Sequence, residues 1–172
     1  MRLLPAIATA LLAAICTTAC GTGGTGRTSQ PAAPAPANST PATAPPTAAT
    51  ILAAVTRAGL VTGGQVQTVD TDPNQLLGRP GGYVSRASFD LPGGDPDGEA
   101  GTIERGGVIE VFADAEGAKR RADYIADFTT GTPELNGEYN TLHGAVLLRI
   151  DHPVAPDVAG RVDAAVAAAA AP

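Results

Sequence analysis

The sequence predicts an α+β fold in which helices pack on one face of a mostly antiparallel sheet of about four strands. Segments with apolar residues at helical spacing are interspersed with short segments rich in β-branched residues, and Gly, Pro and Asp mark the connections. The predicted order is α-β-β-β-α-β-α, in a single domain at residues 50–168 that is long enough to bury one core.

The first helix and strand lead into a polar turn. Either Thr47 or Thr50 caps the helix, and Gly59 ends it. The side chains predicted to face the core are Ile51, Leu52, Val55 and Ala58. A short strand at residues 66–69 follows, and the turn occupies residues 72–83.

This turn combines a helix start with chain-reversing residues. Asp72 is a favourable N-cap and Pro73 suits the first helical position, which predicts one helical turn that ends at Gly78. Residues 80–82, Pro-Gly-Gly, then force a reversal.

Two strands and a helix are predicted next. Residues 83–91 alternate in polarity, which indicates a strand with one buried face, and residues 108–113 form its partner. The Gly- and Asp-rich residues 92–101 connect the two as a long hairpin loop. Asp114 caps the following helix. The apolar stripe of this helix contains Ala118, Ala122, Ile125 and either Phe128 or Thr129.

The C-terminal part contains the longest predicted strand and the last helix. The strand occupies residues 139–151, with a possible bulge at His143 and Gly144. The helix starts at Asp157, and residues 169–172 form an alanine-rich tail that frays. Its core-facing side chains are Val158, Val162, Ala165 and Val166.

Residues 1–19 are typical of a secretory signal peptide, because a positive start precedes an apolar stretch too short to span a membrane. Small residues before Cys20 and a glycine after it resemble the bacterial lipobox, although Thr17 stands where that motif usually has Leu. We therefore expect cleavage after Ala19 and a lipid on Cys20; a secreted protein with a free Cys20 thiol is the alternative. A redox or zinc pair with Cys16 is disfavoured, since zinc needs four ligands.

Residues 20–49 indicate a disordered linker between the lipid and the domain. They consist almost entirely of Gly, Thr, Ser, Pro and Ala, with Arg27 as the one charged residue. Such a composition offers no apolar face to bury, and its length lets the domain stand away from the membrane. Two alternatives are a ligand for a Pro-recognising domain and an O-glycosylated stalk.

The charge pattern restricts the possible partners. The net charge is −6, and all acidic residues lie from Asp70 onward. A net-acidic chain is a poor binder of nucleic acid, whose phosphates require a basic surface. It is also not attracted to anionic lipid headgroups, so we expect membrane attachment through the lipid on Cys20.

The sequence contains no recognised catalytic or metal-binding motif. His143 and His152 show neither triad nor metal-ligand spacing. Residues 95–99 alternate acids like the start of a calcium loop, but Gly106 occupies the twelfth position, where such a loop needs a bidentate Glu. We therefore expect no enzymatic activity, no cofactor and no metal site.

The candidate binding surface is the polar turn. Asp72, Asn74, Arg79 and Tyr83 place an acid, an amide, a guanidinium and a phenol on a backbone that Gly and Pro hold rigid. In the structural interpretation, Asp72 caps the turn, Arg79 bonds to carbonyl groups and Tyr83 packs inside.

Several motifs of the domain resemble a group of small actinobacterial secreted lipoproteins. They are D-P-N-x-L-L-G-R-P-G-x-Y at residues 72–83, G-G-x-I-E-V-F at 106–112, A-x-x-R-A-D-Y-I at 118–125 and Y-x-x-L-H-G-x-V-L-L-R at 139–149. The resemblance covers residues 50–168. It implies an extracytoplasmic location and a shared fold, and it implies no catalytic residue.

We expect a lipid-anchored module on the extracytoplasmic face of the cell membrane that binds or scaffolds an unknown envelope protein. The alternative is an accessory factor for transport or signalling that binds a small molecule. A pocket lined by Arg79, Tyr83 and His143 favours the small molecule, whereas a filled core with an exposed sheet favours the protein partner.

Overall fold

The computed structural model describes residues 45–131 and 137–171, which lie within one compact unit, residues 41–172. Three helices and five strands occur in these described ranges. They are α1 (Ala48–Arg57), β1 (Gly63–Val66), β2 (Ser85–Asp90), β3 (Gly106–Val111), α2 (Ala115–Gly131), β4 (Glu138–His143), β5 (Val146–Asp151) and α3 (Pro156–Ala170). The predicted α+β class is confirmed. None of the described helices is long and apolar enough to cross a membrane.

The strands form one open sheet in the order β1-β2-β3-β5-β4, and every neighbouring pair is antiparallel. The predicted hairpin of β2 and β3 is confirmed, with Ala87 paired to Ile109. β3 and β5 are neighbours although α2 and β4 separate them along the chain. Strands β2, β3 and β5 are therefore interior, and β1 and β4 are the edges.

The segment predicted as one long strand, residues 139–151, belongs to a hairpin. Gly144 has a φ of 60° and forms a two-residue turn with Ala145, so that His143 pairs with Val146. A positive φ at the first turn position is the geometry of a type II′ turn, which favours glycine there. The predicted bulge at His143 and Gly144 was wrong, because this turn creates a fifth strand.

Strand β1 lies at Gly63–Val66 and not at residues 66–69 as predicted. The chain leaves the sheet at Thr68, whose N–H donates to the Thr71 side chain at 2.9 Å. Val69 therefore points away from the sheet and is 66% exposed.

Both candidate threonines cap α1. The Thr47 side chain accepts the N–H of Thr50 at 3.2 Å, and the Thr50 side chain accepts the N–H of Thr47 at 3.0 Å. This reciprocal capping box satisfies two donors that a helix start leaves unpaired.

One face of the sheet, the apolar face, carries the main core. The strands contribute Ala87, Phe89, Ile109, Val111, Val146, Leu148 and Ile150 to it. Helices α1 and α3 cover this face with Ile51, Leu52, Val55, Ala159, Val162 and Val166. Ala169 and Ala170 also pack against the core, so α3 continues into the tail that was predicted to fray.

The opposite face, the polar face, is covered by α2. The prediction that all helices lie on one face was therefore wrong. Ala118 and Ile125 of α2 pack with Leu147 and Tyr83 in a second, smaller apolar cluster. The prediction that residues 83–91 bury only one face was also wrong, since Arg86 is 1% exposed. The guanidinium of Arg86 is buried next to polar groups from other parts of the chain, which are described below.

Candidate functional site

The polar turn is organised around the Asp72 carboxylate, which is 4% exposed. It accepts the N–H groups of Leu76 at 2.8 Å, Leu77 at 2.9 Å and Asn74 at 3.2 Å. The Tyr83 hydroxyl donates to it at 2.6 Å. One acid therefore fixes both ends of the turn, which satisfies several buried donors at once.

The predicted helical turn at residues 72–78 is not a helix. The Gln75 N–H donates to the Asp72 carbonyl at 3.1 Å, which closes a β-turn with Pro73 at its second position. Gln75 then has a φ of 54°, which a continuing right-handed helix does not allow. Gly82 packs so closely on the backbone that a Cβ atom there would lie 2.0 Å from the Leu76 carbonyl oxygen.

The four residues of the predicted binding surface divide into two pairs. Asp72 and Tyr83 point inward, and the Tyr83 side chain is fully buried. Asn74 and Arg79 are exposed, and Asn74 lines a groove described below. Asp72 and Tyr83 therefore have structural roles within the turn, whereas Asn74 remains accessible to a ligand.

Asp72 and Tyr83 each shift the pKa of the other. Burial opposes charge on Asp72, but the hydrogen bonds from Tyr83 and the turn N–H groups outweigh it and lower the pKa of Asp72. Burial, together with the hydrogen bond to Asp72, raises the pKa of Tyr83 far above its ordinary value. The pair is thus held as a carboxylate and a neutral phenol.

A network of arginines and glutamates lies beneath α2, centred on the fully buried Glu110 of β3. Its Oε1 lies 3.2 Å from Arg149 Nη1 of β5, and its Oε2 lies 3.3 Å from Arg121 Nε of α2. Arg86 Nε of β2 lies 3.8 Å from Glu110 Oε1 and equally far from Asp72 Oδ1. The network therefore connects three strands, one helix and the polar turn.

Arg149 joins Glu110 to the edge strand β4. Its Nε and Nη2 atoms donate to the two oxygens of Glu138 at 2.7 and 2.9 Å. Burial alone would lower the pKa of Arg149, but these carboxylates outweigh burial and raise it. Such a bidentate pair fixes the plane of the guanidinium.

Arg86 is the least satisfied member of the network. Its Nη1 donates to the Gly101 carbonyl at 2.7 Å, but its buried Nε has no hydrogen-bond partner among the described residues. Burial therefore lowers the pKa of Arg86, and the nearby Tyr83, Glu110 and Asp72 only partly offset that effect.

A groove of about 550 Å³ lies between α2 and the neighbouring ends of β4 and β5, above the network, with Asn74 of the polar turn among its lining residues. We call it the α2 groove. Its lining residues are Asn74, Ile103, Arg121, Tyr124, Ile125, Phe128, Thr129, Gly137, Glu138, Arg149, Asp151 and Pro153. A second depression of about 480 Å³ shares Asn74, Arg121 and Tyr124 with it, so the two are neighbours.

Exposed aromatic rings form the α2 side of this groove. Tyr124 and Phe128 are 61% and 55% exposed, and their rings stack with centroids 6.5 Å apart. The Arg121 guanidinium lies 5.6 Å from the centroid of the Tyr124 ring. Aromatic residues and arginine are the types that contribute most to binding energy in known contact sites.

The two histidines lie elsewhere. His143 Nε2 is 2.8 Å from Asp163 Oδ1 of α3, on the apolar-face side of the sheet, and the ring of His152 stacks on Tyr139. A pocket lined by Arg79, Tyr83 and His143, which would have favoured a small-molecule ligand, does not form, because Tyr83 is inside and His143 lines a different depression. In the two described ranges no group of three or more His, Cys, Asp or Glu residues could hold a metal ion.

The predicted lipidation site, Cys20, and the predicted signal peptide at residues 1–19 lie outside the described residues. Comparison with known proteins found no similarity: no family model, no curated protein and no solved structure matches this chain. The geometry of the α2 groove is therefore the basis on which a function can be assigned.

Proposed function

We propose that this chain is a lipid-anchored, extracytoplasmic binding module that holds its ligand in the α2 groove. The observation that carries the proposal is the pair of exposed, stacked rings of Tyr124 and Phe128 beside the arginines of a buried ionic network. Exposed aromatic surface next to a concave, partly polar site is characteristic of binding.

The network supports this role by holding the floor of the groove in place. Glu110 and Glu138 fix Arg149, and Glu110 also holds Arg121 from below. A site whose side chains are ordered before the ligand arrives loses less conformational entropy on binding. The charged groups pair with each other, which suits recognition better than bond-breaking chemistry.

The size of the groove favours a small ligand over a large protein interface. Pockets for small molecules typically enclose about 300–1,000 Å³, and the α2 groove falls within that range at about 550 Å³. A scaffold that holds an envelope protein is the second candidate, because the groove opens next to a further depression along α2.

The binding site can be tested by ¹⁵N NMR with the chain from residue 20 onward, in which Cys20→Ala removes the lipid. Titration with a library of small polar and amphipathic fragments is expected to shift the signals of Asn74, Arg121, Tyr124 and Phe128. The Thr56 signal, on α1 at the opposite face, serves as the control. Shifts spread over both faces, or no shifts at all, would contradict the proposed site.

The anchor can be tested separately by fractionating cells that produce the full chain. Wild-type protein is expected in the membrane fraction, and Cys20→Ala is expected in the medium, because acyl chains supply about 0.8 kcal/mol per buried methylene. Cys16→Ala is the matched control and should stay with the membrane. A Cys20→Ala protein that remains membrane-bound would rule out lipid attachment at this residue.

A further inference from the structure

One end of the α2 groove offers donors for an anion. Arg121 is anchored through Nε on Glu110, while its Nη1 and Nη2 atoms donate to no residue within the described parts of the chain. Its side chain is 15% exposed and lines both depressions, as does the exposed amide of Asn74. A guanidinium held in this way presents its two-nitrogen edge, the geometry that binds a carboxylate through two hydrogen bonds.

The other end of the groove is suited to a cation. The Asp151 carboxylate accepts the His152 N–H at 3.0 Å and forms no ion pair with any described residue. The last turn of α2 borders this end and contains no basic residue, so the partial negative charge of the helix C-terminus adds to that of Asp151. Burial, together with the charges of Glu138 and Glu104, raises the pKa of Asp151 and outweighs the opposing effect of His152.

The length of the α2 side of the groove matches a short extended chain. Arg121 and Phe128 are seven residues apart on one helix, which corresponds to roughly 10 Å along its axis at about 1.5 Å per residue. An extended peptide covers about 3.3–3.6 Å per residue, so about three residues span this length. Tyr124 and Phe128 provide the apolar surface on the α2 side of the groove.

We propose that the α2 groove binds a short peptide with free termini, with its carboxylate on Arg121 and Asn74, its ammonium on Asp151 and an apolar side chain against Tyr124 and Phe128. This inference rests on the proposed function and specifies its ligand class. A purely anionic ligand would be repelled by Asp151, and a purely cationic one would be repelled by Arg121. A zwitterion is the class whose charges complement both ends.

The test uses the tripeptide Ala-Phe-Ala in four forms: free, N-acetylated, C-amidated and blocked at both ends. Each is titrated by ¹⁵N NMR into the lipid-free chain from residue 20 onward. The free form is expected to bind in the groove, and blocking either terminus should weaken binding at least about tenfold, as expected for a lost charge-assisted contact. Equal binding of all four forms would overturn the assignment.

Two variants assign the ends of the peptide. In Asp151→Asn, N-acetylation should no longer matter, and in Arg121→Lys, which keeps a positive charge near Glu110, the penalty for C-amidation should shrink. Asp157→Asn is the matched control, since Asp157 is exposed on α3. Circular dichroism confirms that each variant is folded, so that loss of discrimination is not loss of structure.

The outcomes for the ligand class and for the site are distinguishable. If fragments bind in the groove but no tripeptide form does, the peptide assignment is wrong and the binding module stands. If the tripeptides bind outside the groove, the peptide assignment is again overturned. If neither fragments nor tripeptides bind, both proposals fail.

Discussion

The two faces of the sheet are buried by different means, although the same strands supply both. On the apolar face, Phe89 and Ile109 pack under α1 and α3 without polar partners. On the polar face, the neighbouring residue of the same strand, Glu110, is equally buried but is held by arginines from three other elements. The groove with exposed aromatic rings lies over the second arrangement.

The two faces therefore contribute differently: the apolar face stabilises the fold, and the polar face fixes the positions of side chains beneath the groove. Apolar contacts are non-directional, so the apolar face can tolerate small changes of side-chain shape. Charged hydrogen bonds hold only at particular distances and angles, so the network fixes where Arg121 and Arg149 lie beneath the groove. A buried ionic network is expensive to assemble, and in this structure it fixes the position of those side chains.

The largest effect is expected when the network loses its centre. Glu110→Ala removes the carboxylate that three arginines share: Arg149 keeps Glu138 and Arg86 keeps its contact with Asp72, but Arg121 loses its ion pair. We expect the free energy of unfolding to fall by about 3–5 kcal/mol. Ile109→Ala, one residue away on the opposite face, should cost about 2–5 kcal/mol through cavity formation. Urea denaturation measures both.

Milder substitutions of the same two residues distinguish the two faces more clearly. Ile109→Val should cost only about 0.5–1.5 kcal/mol, whereas Glu110→Gln keeps the shape but removes the charge and should stay close to the cost of Glu110→Ala. Glu116→Gln on the exposed surface of α2 is the control and should change stability little. If Glu110→Gln is as mild as Ile109→Val, the network is not the element that fixes the polar face.

An intermediate effect is expected at the Asp72–Tyr83 contact. Tyr83→Phe removes the hydroxyl that donates to the buried carboxylate and should cost about 1–3 kcal/mol. The pH dependence has two limbs with defined signs. The pKa of Asp72 is lowered by folding, so its contribution is present above the ordinary pKa of about 4 and is lost as the pH falls through the folded value. The pKa of Tyr83 is raised, so stability falls as the pH rises beyond about 10, where the unfolded phenol ionises.

Unfolding free energy measured from pH 2 to pH 11 distinguishes these contributions. Tyr83→Phe should flatten the alkaline limb and reduce the acid limb, whereas Tyr124→Phe, which changes an exposed phenol, should leave both unchanged. An alkaline limb that persists in Tyr83→Phe would show that another group is responsible.

The apolar face was more predictable from the sequence than the polar face. Ile51, Val55, Val162 and Val166 follow helical spacing, and their burial confirms that pattern. Arg86 lies in an alternating segment whose polar residues normally face water, and the pattern does not reveal that distant residues will pair with it. The fold class was therefore predictable, but the placement of α2 on the opposite face was not.

The candidate site was predicted only in part for the same reason. The polar turn was noticed because Asp72, Asn74, Arg79 and Tyr83 are close in sequence, yet only Asn74 lines the groove. The other groove residues come from α2, β4, β5 and the adjoining loops and meet only in the folded chain. A usable signal existed in Tyr124, an aromatic residue outside the predicted apolar stripe of its helix in a protein with so few aromatics. Phe128 was one of two candidates for that stripe, and its exposure is visible only in the structure.

The smallest effect on stability is expected at these exposed rings. Tyr124→Ala and Phe128→Ala replace aromatic side chains that are more than half exposed with the best helix former, so the free energy of unfolding should change by no more than about 0.5 kcal/mol. Ile125→Ala, between them on the same helix but buried, should cost about 2–5 kcal/mol.

The effects of these substitutions on fragment binding should follow the opposite order from their effects on stability. Each ring contributes surface to the groove, and its removal is expected to weaken fragment binding in the NMR titration. A surface change such as Lys119→Ala, on the same helix but in the lining of neither depression, should have little effect. If the exposed rings prove to stabilise the fold as strongly as Ile125 does, they belong to the core. The α2 groove would then lose the observation on which its binding role depends.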